Sequence, residues 1–235
     1  MQEFLYGSLI FISYIIPLGI IMILVRKFCK IQDELFRKAL HFILLGAYIP
    51  LLYGFKTWWI CIIMIACLLL ILFPILIIAS KLPLLKSYII ERKKGEFLSS
   101  MVLSISIMII SITIGWGIFD DKLIVLACVY SWGVGDAFAA LIGKKYGKHK
   151  ITLKFVDNKK SIEGSLAMVI TSTIAVLCVL LIRGGIHPLY CIVISLLSAI
   201  ISTFVELCTK NGLDTITCPL ASMAVILPLI TLLGG

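Results

Sequence analysis

The chain alternates long apolar runs with short polar ones, and a run of roughly 20 apolar residues is enough to cross a bilayer as a helix. Eight runs qualify: Phe4 to Val25, Ala39 to Phe55, Thr57 to Ser80, Phe97 to Phe119, Leu123 to Ile142, Ser165 to Ile182, Ile186 to Val205 and Thr215 to Gly235. The second and sixth are short, so the expected eight spans carry a range of seven to nine. The pattern predicts an all-α, polytopic membrane bundle in which residues 1–235 form a single integral membrane domain. The first run lacks the basic flank and small-residue cleavage site of a signal peptide and is expected to stay as a helix. Pro17, Pro74, Pro188, Pro219 and Pro228 are expected to kink their helices.

Composition agrees. Of the 235 residues, 61% are hydrophobic and 14% charged, and the mean hydropathy of +1.16 lies far from that of a soluble domain. Neither an internal repeat nor a low-complexity segment stands out, and nothing suggests a separate soluble domain.

The charges set an orientation. Of the 21 basic residues, 18 fall in the odd-numbered connections. Arg26, Lys27, Lys30, Arg37 and Lys38 are in the first, Lys81, Lys86, Arg92, Lys93 and Lys94 in the third. The fifth holds Lys144, Lys145, Lys148, Lys150, Lys154, Lys159 and Lys160, and the seventh holds Lys210. Lys56, Lys122 and Arg183 lie in the even ones. Positive loops stay inside, so the odd connections are expected in the cytoplasm and both termini outside. The net charge of +9 then reads as a topology signal and an attraction to anionic lipid, not as a nucleic-acid surface. Of the eight cysteines, Cys61, Cys67, Cys128, Cys178 and Cys191 lie inside spans and none forms a Cys-x-x-Cys pair, which makes them packing residues and not a zinc site.

The informative positions are polar groups at or inside span ends, because a charge in hydrocarbon is costly without a partner or a task. Asp136 is 13 residues past Leu123, roughly 20 Å along the fifth helix at 1.5 Å per residue. It therefore sits in the cytoplasmic third of the span. Ala137, Ala139, Ala140, Gly143 and Gly147 follow it, small residues that admit another backbone. The tract Gly143-Lys144-Lys145-Tyr146-Gly147-Lys148 offers backbone N–H groups beside ammonium groups, a combination that holds polyphosphates. It lacks the Ser or Thr after lysine that a Walker A loop needs, and Gly133-Val134-Gly135 is not a dinucleotide fingerprint, since position 138 is Phe. Further on, Lys160-Ser161-Ile162-Glu163-Gly164 puts a cation, a hydroxyl and a carboxylate where the sixth span starts and where a helix N-terminus adds partial positive charge. Ser161 is equally suited to cap that helix. Arg37 and His41 are four apart on one helix face, and Glu206 has Lys210 at the same spacing. His149 and His187 receive no role.

Taken together, Gly135-Asp136-Ala137, Gly143, Gly147-Lys148 and Lys160-Ser161-x-Glu163-Gly164 resemble the signature of the CTP-dependent membrane lipid kinases: dolichol or polyprenol kinase, phytol kinase and yeast-type diacylglycerol kinase. The related CDP-diacylglycerol synthases carry a similar tract, typically Ser-Pro-Lys-Thr-x-Glu-Gly, whereas this chain reads Asn158-Lys159-Lys160-Ser161 without the proline, which favours the kinase branch. Arg37-Lys38-x-x-His41, Arg92-Lys93-Lys94-Gly95-Glu96, and Glu206 with Gly212-Leu213-Asp214 and Pro219 resemble the same family, with Thr215 where relatives often have Asn.

The resemblance implies transfer of the γ-phosphoryl group of CTP to a membrane lipid alcohol. Polyprenol or dolichol is expected first, then phytol or another isoprenoid alcohol, then diacylglycerol. It implies residues 123–164 as the nucleotide-binding span and cytoplasmic loop, with Mg²⁺ or Mn²⁺ as the cofactor. Asp136 and Glu163 are then metal ligands and Asp136, Glu96 and Asp214 catalytic carboxylates. The nucleotide and phosphate contacts would be Arg37, His41, Lys94, Gly135, Gly143, Gly147, Lys148, Lys160, Ser161, Glu163 and Gly164, with Lys144 and Lys145 as solvated topology charges. Expected partners are CTP, the lipid alcohol and the bilayer, with no nucleic acid; a homo-oligomer is left open. The membrane would be the inner membrane of a prokaryote, or that of the endoplasmic reticulum or a plastid. The alternative is a phosphatidate cytidylyltransferase, which releases pyrophosphate and incorporates CMP. A transporter fits less well, because its site lies near the midplane between inverted repeats, whereas these charges gather near one face.

Overall fold

The computed structural model describes residues 1–81, 95–152, 156, 160–210 and 212–233. Among the described residues, eight helices are long and apolar enough to cross a membrane, as the apolar runs predict. The chain divides into two compact units, Met1–Thr113 and Ile114–Gly235.

The first unit contains α1 (Gln2–Phe28), α2 (Asp33–Gly46), α3 (Tyr48–Gly54), α4 (Trp58–Lys81) and α5 (Glu96–Ser111). The second span is divided at Ala47 into α2 and α3. Tyr14 of α1 donates its hydroxyl to the Ile43 carbonyl at that break, 3.0 Å away. Glu3, in the first turn of α1, accepts from the backbone amides of Lys56 and Thr57 at 2.9 and 2.8 Å. A remote carboxylate thus satisfies amides at the entrance to α4 that the helix itself leaves unpaired. Pro17 and Pro74 both lie inside continuous helices. A π-helix, Ile112–Ile118, continues from α5 and crosses into the second unit.

The second unit is built from α6 (Lys122–Tyr146), α7 (Ile162–Arg183), α8 (Pro188–Cys208) and α9 (Asp214–Leu232). Its core joins Trp132, Met168 and Cys218, from three of the helices, with Ala139 and Val205 packed against them. Inside the bundle the buried Ser222 hydroxyl bonds Ser131 Oγ at 3.0 Å, and the Ser172 hydroxyl donates to the Ser131 carbonyl. Interhelical bonds of this kind assist packing where lipid offers no hydrophobic drive. Asp121 caps α6, accepting from the amides of Leu123 and Ile124 at 2.9 and 3.0 Å, and pairs with Arg183 at the end of α7 at 2.5 Å.

Several boundaries differ from the sequence reading: the second span starts at Asp33, six residues before Ala39, so Arg37 and Lys38 lie on α2 and not in a connection. Pro188 is the first residue of α8, with His187 as its cap; it starts a helix instead of kinking one, because its missing N–H would be unpaired there anyway. The fifth span continues to Tyr146, four residues beyond Ile142. The Gly147 amide bonds the Gly143 carbonyl at 3.1 Å, so the Gly143 to Tyr146 stretch is the last turn of a helix and not a loop.

Candidate functional site

The end of α6 and the start of α7 are packed along a seam in which α6 presents glycine and alanine. Gly135, Ala139 and Gly143 recur every four residues on α6 and therefore share one face, and Gly147, which caps the helix, follows at the same spacing. Against them lie Gly164, Met168 and Ser172 of α7. A Cβ on Gly164 would come within 3.0 Å of the Ala139 carbonyl oxygen and 3.3 Å of Gly143 Cα. One on Gly135 would meet Ser172 Oγ, and one on Gly147 the Gly143 carbonyl oxygen. Gly143 and Gly164 are thus where the two helix backbones touch, while Gly135 makes room for Ser172 and Met168 and Gly147 for Ser161.

Ser161 caps α7 and accepts from the Gly164 amide at 3.2 Å. Just before it, Lys160 reaches α8: its Nζ lies 2.8 Å from Glu206 Oε1 and also donates to the Glu206 and Thr209 carbonyl oxygens. Lysine beside the carbonyl end of a helix is favoured by the helix dipole. Glu206 therefore pairs with Lys160 and not with Lys210, since α8 ends at Cys208 and Lys210 is off the helix.

Around this pair gather two more carboxylates. Asp214 starts α9 and lies within range of the charges of Asp136 and Lys160. Glu206 is in turn within range of Asp136 and Asp214. The Trp132 indole N–H, one turn before Asp136 on α6, points at Asp214 Oδ2 from 3.4 Å. Asp136, Glu206 and Asp214 thus lie within range of one another's charge and of Lys160, and ionisable side chains gathered inside a membrane helix bundle mark a functional site.

Glu163 is engaged elsewhere. Its carboxylate accepts from the His149 backbone amide, at 3.2 and 3.3 Å to its two oxygens, and lies 2.7 Å from His149 Nδ1. Lys148 is exposed beside it, as are Lys144 and Lys145.

In the first unit Arg37 pairs with Glu96 at 3.6 Å and with Glu34 at 3.8 Å. One guanidinium thus spans a carboxylate of its own helix and another at the start of α5. His41 lies one turn further along α2, its ring 6.4 Å from that of Phe42. Gly95 enters α5 with φ 82°, a left-handed conformation suited to glycine. Lys94 lies outside the described residues.

Among the described residues, no group of three or more His, Cys, Asp or Glu side chains is arranged to hold a metal unaided. That is compatible with Mg²⁺, which takes one or two carboxylates and completes its shell with water and substrate phosphates. Asp136 and Asp214 supply hard oxygen donors of the required kind.

A sequence model of the cytidylyltransferase family matches residues 3–209. The chain belongs to the cytidylyltransferase family. Comparison with curated proteins and with solved structures gave no match. Membership makes the protein a CTP-using enzyme of lipid chemistry, and its apolar helices make it an integral membrane protein. The family match takes in Arg37, Asp136, Lys160, Glu163 and Glu206 and stops short of Asp214.

Sequence reasoning passed over two residues that this cytidylyltransferase-family chain places on its carboxylates, Trp132 and His149. Trp132 had a legible signal: it is four residues before Asp136 and so on the same helix face. His149 had none, because its contact depends on the path of the chain between α6 and α7.

Proposed function

We propose that the protein is a CTP-dependent kinase that phosphorylates the hydroxyl of a membrane lipid alcohol, polyprenol or dolichol before phytol or another isoprenoid alcohol, and diacylglycerol last. The observation that carries this reading is the charge of the cluster: Asp136, Glu206 and Asp214 with Lys160 drawn in against them. A neutral alcohol enters such a site without electrostatic penalty. CTP brings its polyphosphate in either reaction, but phosphatidate would add a second phosphate dianion beside it and the alcohol adds none.

Asp136 and Asp214 would hold Mg²⁺ or Mn²⁺, which would offset the negative charge on the nucleotide phosphates. Lys148, exposed at the end of α6, meets the polyphosphate, and Lys160 holds Glu206 and the start of α7 in place. The lipid oxygen forms a bond to the γ-phosphorus as the bond to the β–γ bridging oxygen breaks. CDP leaves, and the hydroxyl proton passes to Asp136 or to water. A loose transition state makes little demand on that base. In the first unit, taken by itself, Arg37, held by Glu34 and Glu96, and His41 on the same helix face are the residues suited to a phosphate. The basic odd-numbered connections support a cytoplasmic site, where CTP is available.

A second reading, CMP transfer to phosphatidate, is favoured by the description of the family itself. Purified protein incubated with α- or γ-labelled CTP and each lipid separates them. The kinase puts γ-label on an alcohol and releases CDP; α-label on lipid with release of pyrophosphate would overturn it.

A further inference from the structure

We propose that His149 is a positioning residue for nucleotide binding, acting through Glu163. The inference rests on the reading of Leu123 to Gly164 as the nucleotide-binding region. It differs from the assignment of Glu163 as a metal ligand, because it gives that carboxylate a task within the connection between α6 and α7.

The geometry is that of a clasp. Glu163 sits in the first turn of α7. An ionised carboxylate only accepts, so the 2.7 Å contact requires the proton to be on His149 Nδ1. The backbone amide of the same residue adds contacts to both carboxylate oxygens at 3.2 and 3.3 Å. Next to it, Lys150 and Ser161 form an antiparallel bridge: the Ile151 amide donates to the Lys160 carbonyl at 3.1 Å and the Ile162 amide to the His149 carbonyl at 3.0 Å. The segment leaving α6 is therefore fastened to the segment entering α7 by side chain and backbone together. Lys160, in the same bridge, is tied to the end of α8.

The consequence concerns the cations. Lys148 and Lys150 flank His149 and are exposed. A flexible connection would have to be ordered each time a polyphosphate bound, and that cost would weaken affinity. The clasp meets the cost at folding, so the lysines are held in place beforehand. The His149 ring is itself 75% exposed, so removing it takes away a contact and little packing. Its effect therefore belongs to ligand binding and not to global stability.

The test uses full-length protein in detergent and reads CTP affinity by equilibrium dialysis, thermal melting, and the rate of tryptic cleavage after Lys148 and Lys150. With the clasp open the connection must be ordered each time CTP binds, so His149→Ala should weaken CTP binding severalfold. Cleavage should accelerate and melting stay unchanged. His149→Asn, whose side-chain amide can replace Nδ1–H, should restore most of the affinity and the protection. Glu163→Ala should resemble His149→Ala, and the double variant should be no worse than either single one. Unchanged CTP affinity in His149→Ala would overturn the proposal, as would an Asn variant as impaired as alanine with a lowered melting temperature. Because both readings of the reaction use CTP, finding CMP transfer would defeat the kinase and leave this proposal standing.

Discussion

Lys160 and Glu206, 46 residues apart in the chain, meet at 2.8 Å, and the same ammonium also serves the backbone carbonyls that end α8. Lys160→Ala leaves that carboxylate, 14% exposed, without its cation. Breaking a buried pair costs about 3 to 5 kcal/mol, and partial exposure puts this one at the lower end. The melting temperature should fall in Lys160→Ala, recover in part when Glu206→Ala is added, and stay put in Lys144→Ala. A Lys160→Ala protein that melts like wild type would show that the ammonium is free for phosphate.

Asp136→Asn keeps the shape of the side chain and most of its hydrogen bonding but removes the charge a divalent cation needs. Turnover should drop by orders of magnitude with no loss of thermal stability, because taking a charge out of a helix bundle also removes its desolvation cost. Assay and melting on one preparation check it. An active Asn variant would rule out a metal ligand here.

Excess chelator should abolish turnover, and Mg²⁺ or Mn²⁺ should restore it. The melting curve should barely move, since the described residues hold no side-chain cage that folds around a metal. Full activity in chelator would exclude the divalent cation.

Gly164→Ala would push a methyl against backbone on the facing helix, 3.0 Å from the Ala139 oxygen. Backbone cannot step aside as a side chain does, and overpacking of this kind costs about 1 to 3 kcal/mol. Gly19→Ala, with nothing within 4 Å of the new methyl, should be neutral or stabilising. Equal melting of the two variants would refute the close contact of α6 and α7.

Asp121→Asn should lose the ion pair with Arg183 but keep an acceptor for the first amides of α6, whereas Asp121→Ala loses both. The cap alone is worth about 0.5 to 2 kcal/mol, so alanine should melt below asparagine. Turnover per folded molecule should be unaffected, because Asp121 is at the other end of α6 from Asp136.

The spans were legible because a run of apolar residues long enough to cross a bilayer has few other uses. Helix ends were less so. Gly143 suggested a loop, but glycine pressed against another backbone is compatible with helix, and α6 runs on to Tyr146. The polar residues announced that they needed partners without saying which. Glu206 had a local option in Lys210 and took Lys160, because α8 stops before Lys210 can share its face. Trp132 and Asp214, 82 residues apart, meet only once three helices have packed.

The four-residue spacing of Gly135, Ala139, Gly143 and Gly147 makes this stretch of α6 a ruler. One residue inserted just after Gly135 would turn everything beyond it by about 100°. Phe138, Ile142 and Tyr146 would then arrive where Ala139, Gly143 and Gly147 stand, and a deletion would bring in Ala140, Lys144 and Lys148 instead. Either change drives bulk or charge into a seam that has room for neither. Asp136, next to the first of these glycines, takes its heading from the same register. Length can therefore vary in the connections between helices, but between Gly135 and Gly147 the chain must keep its count.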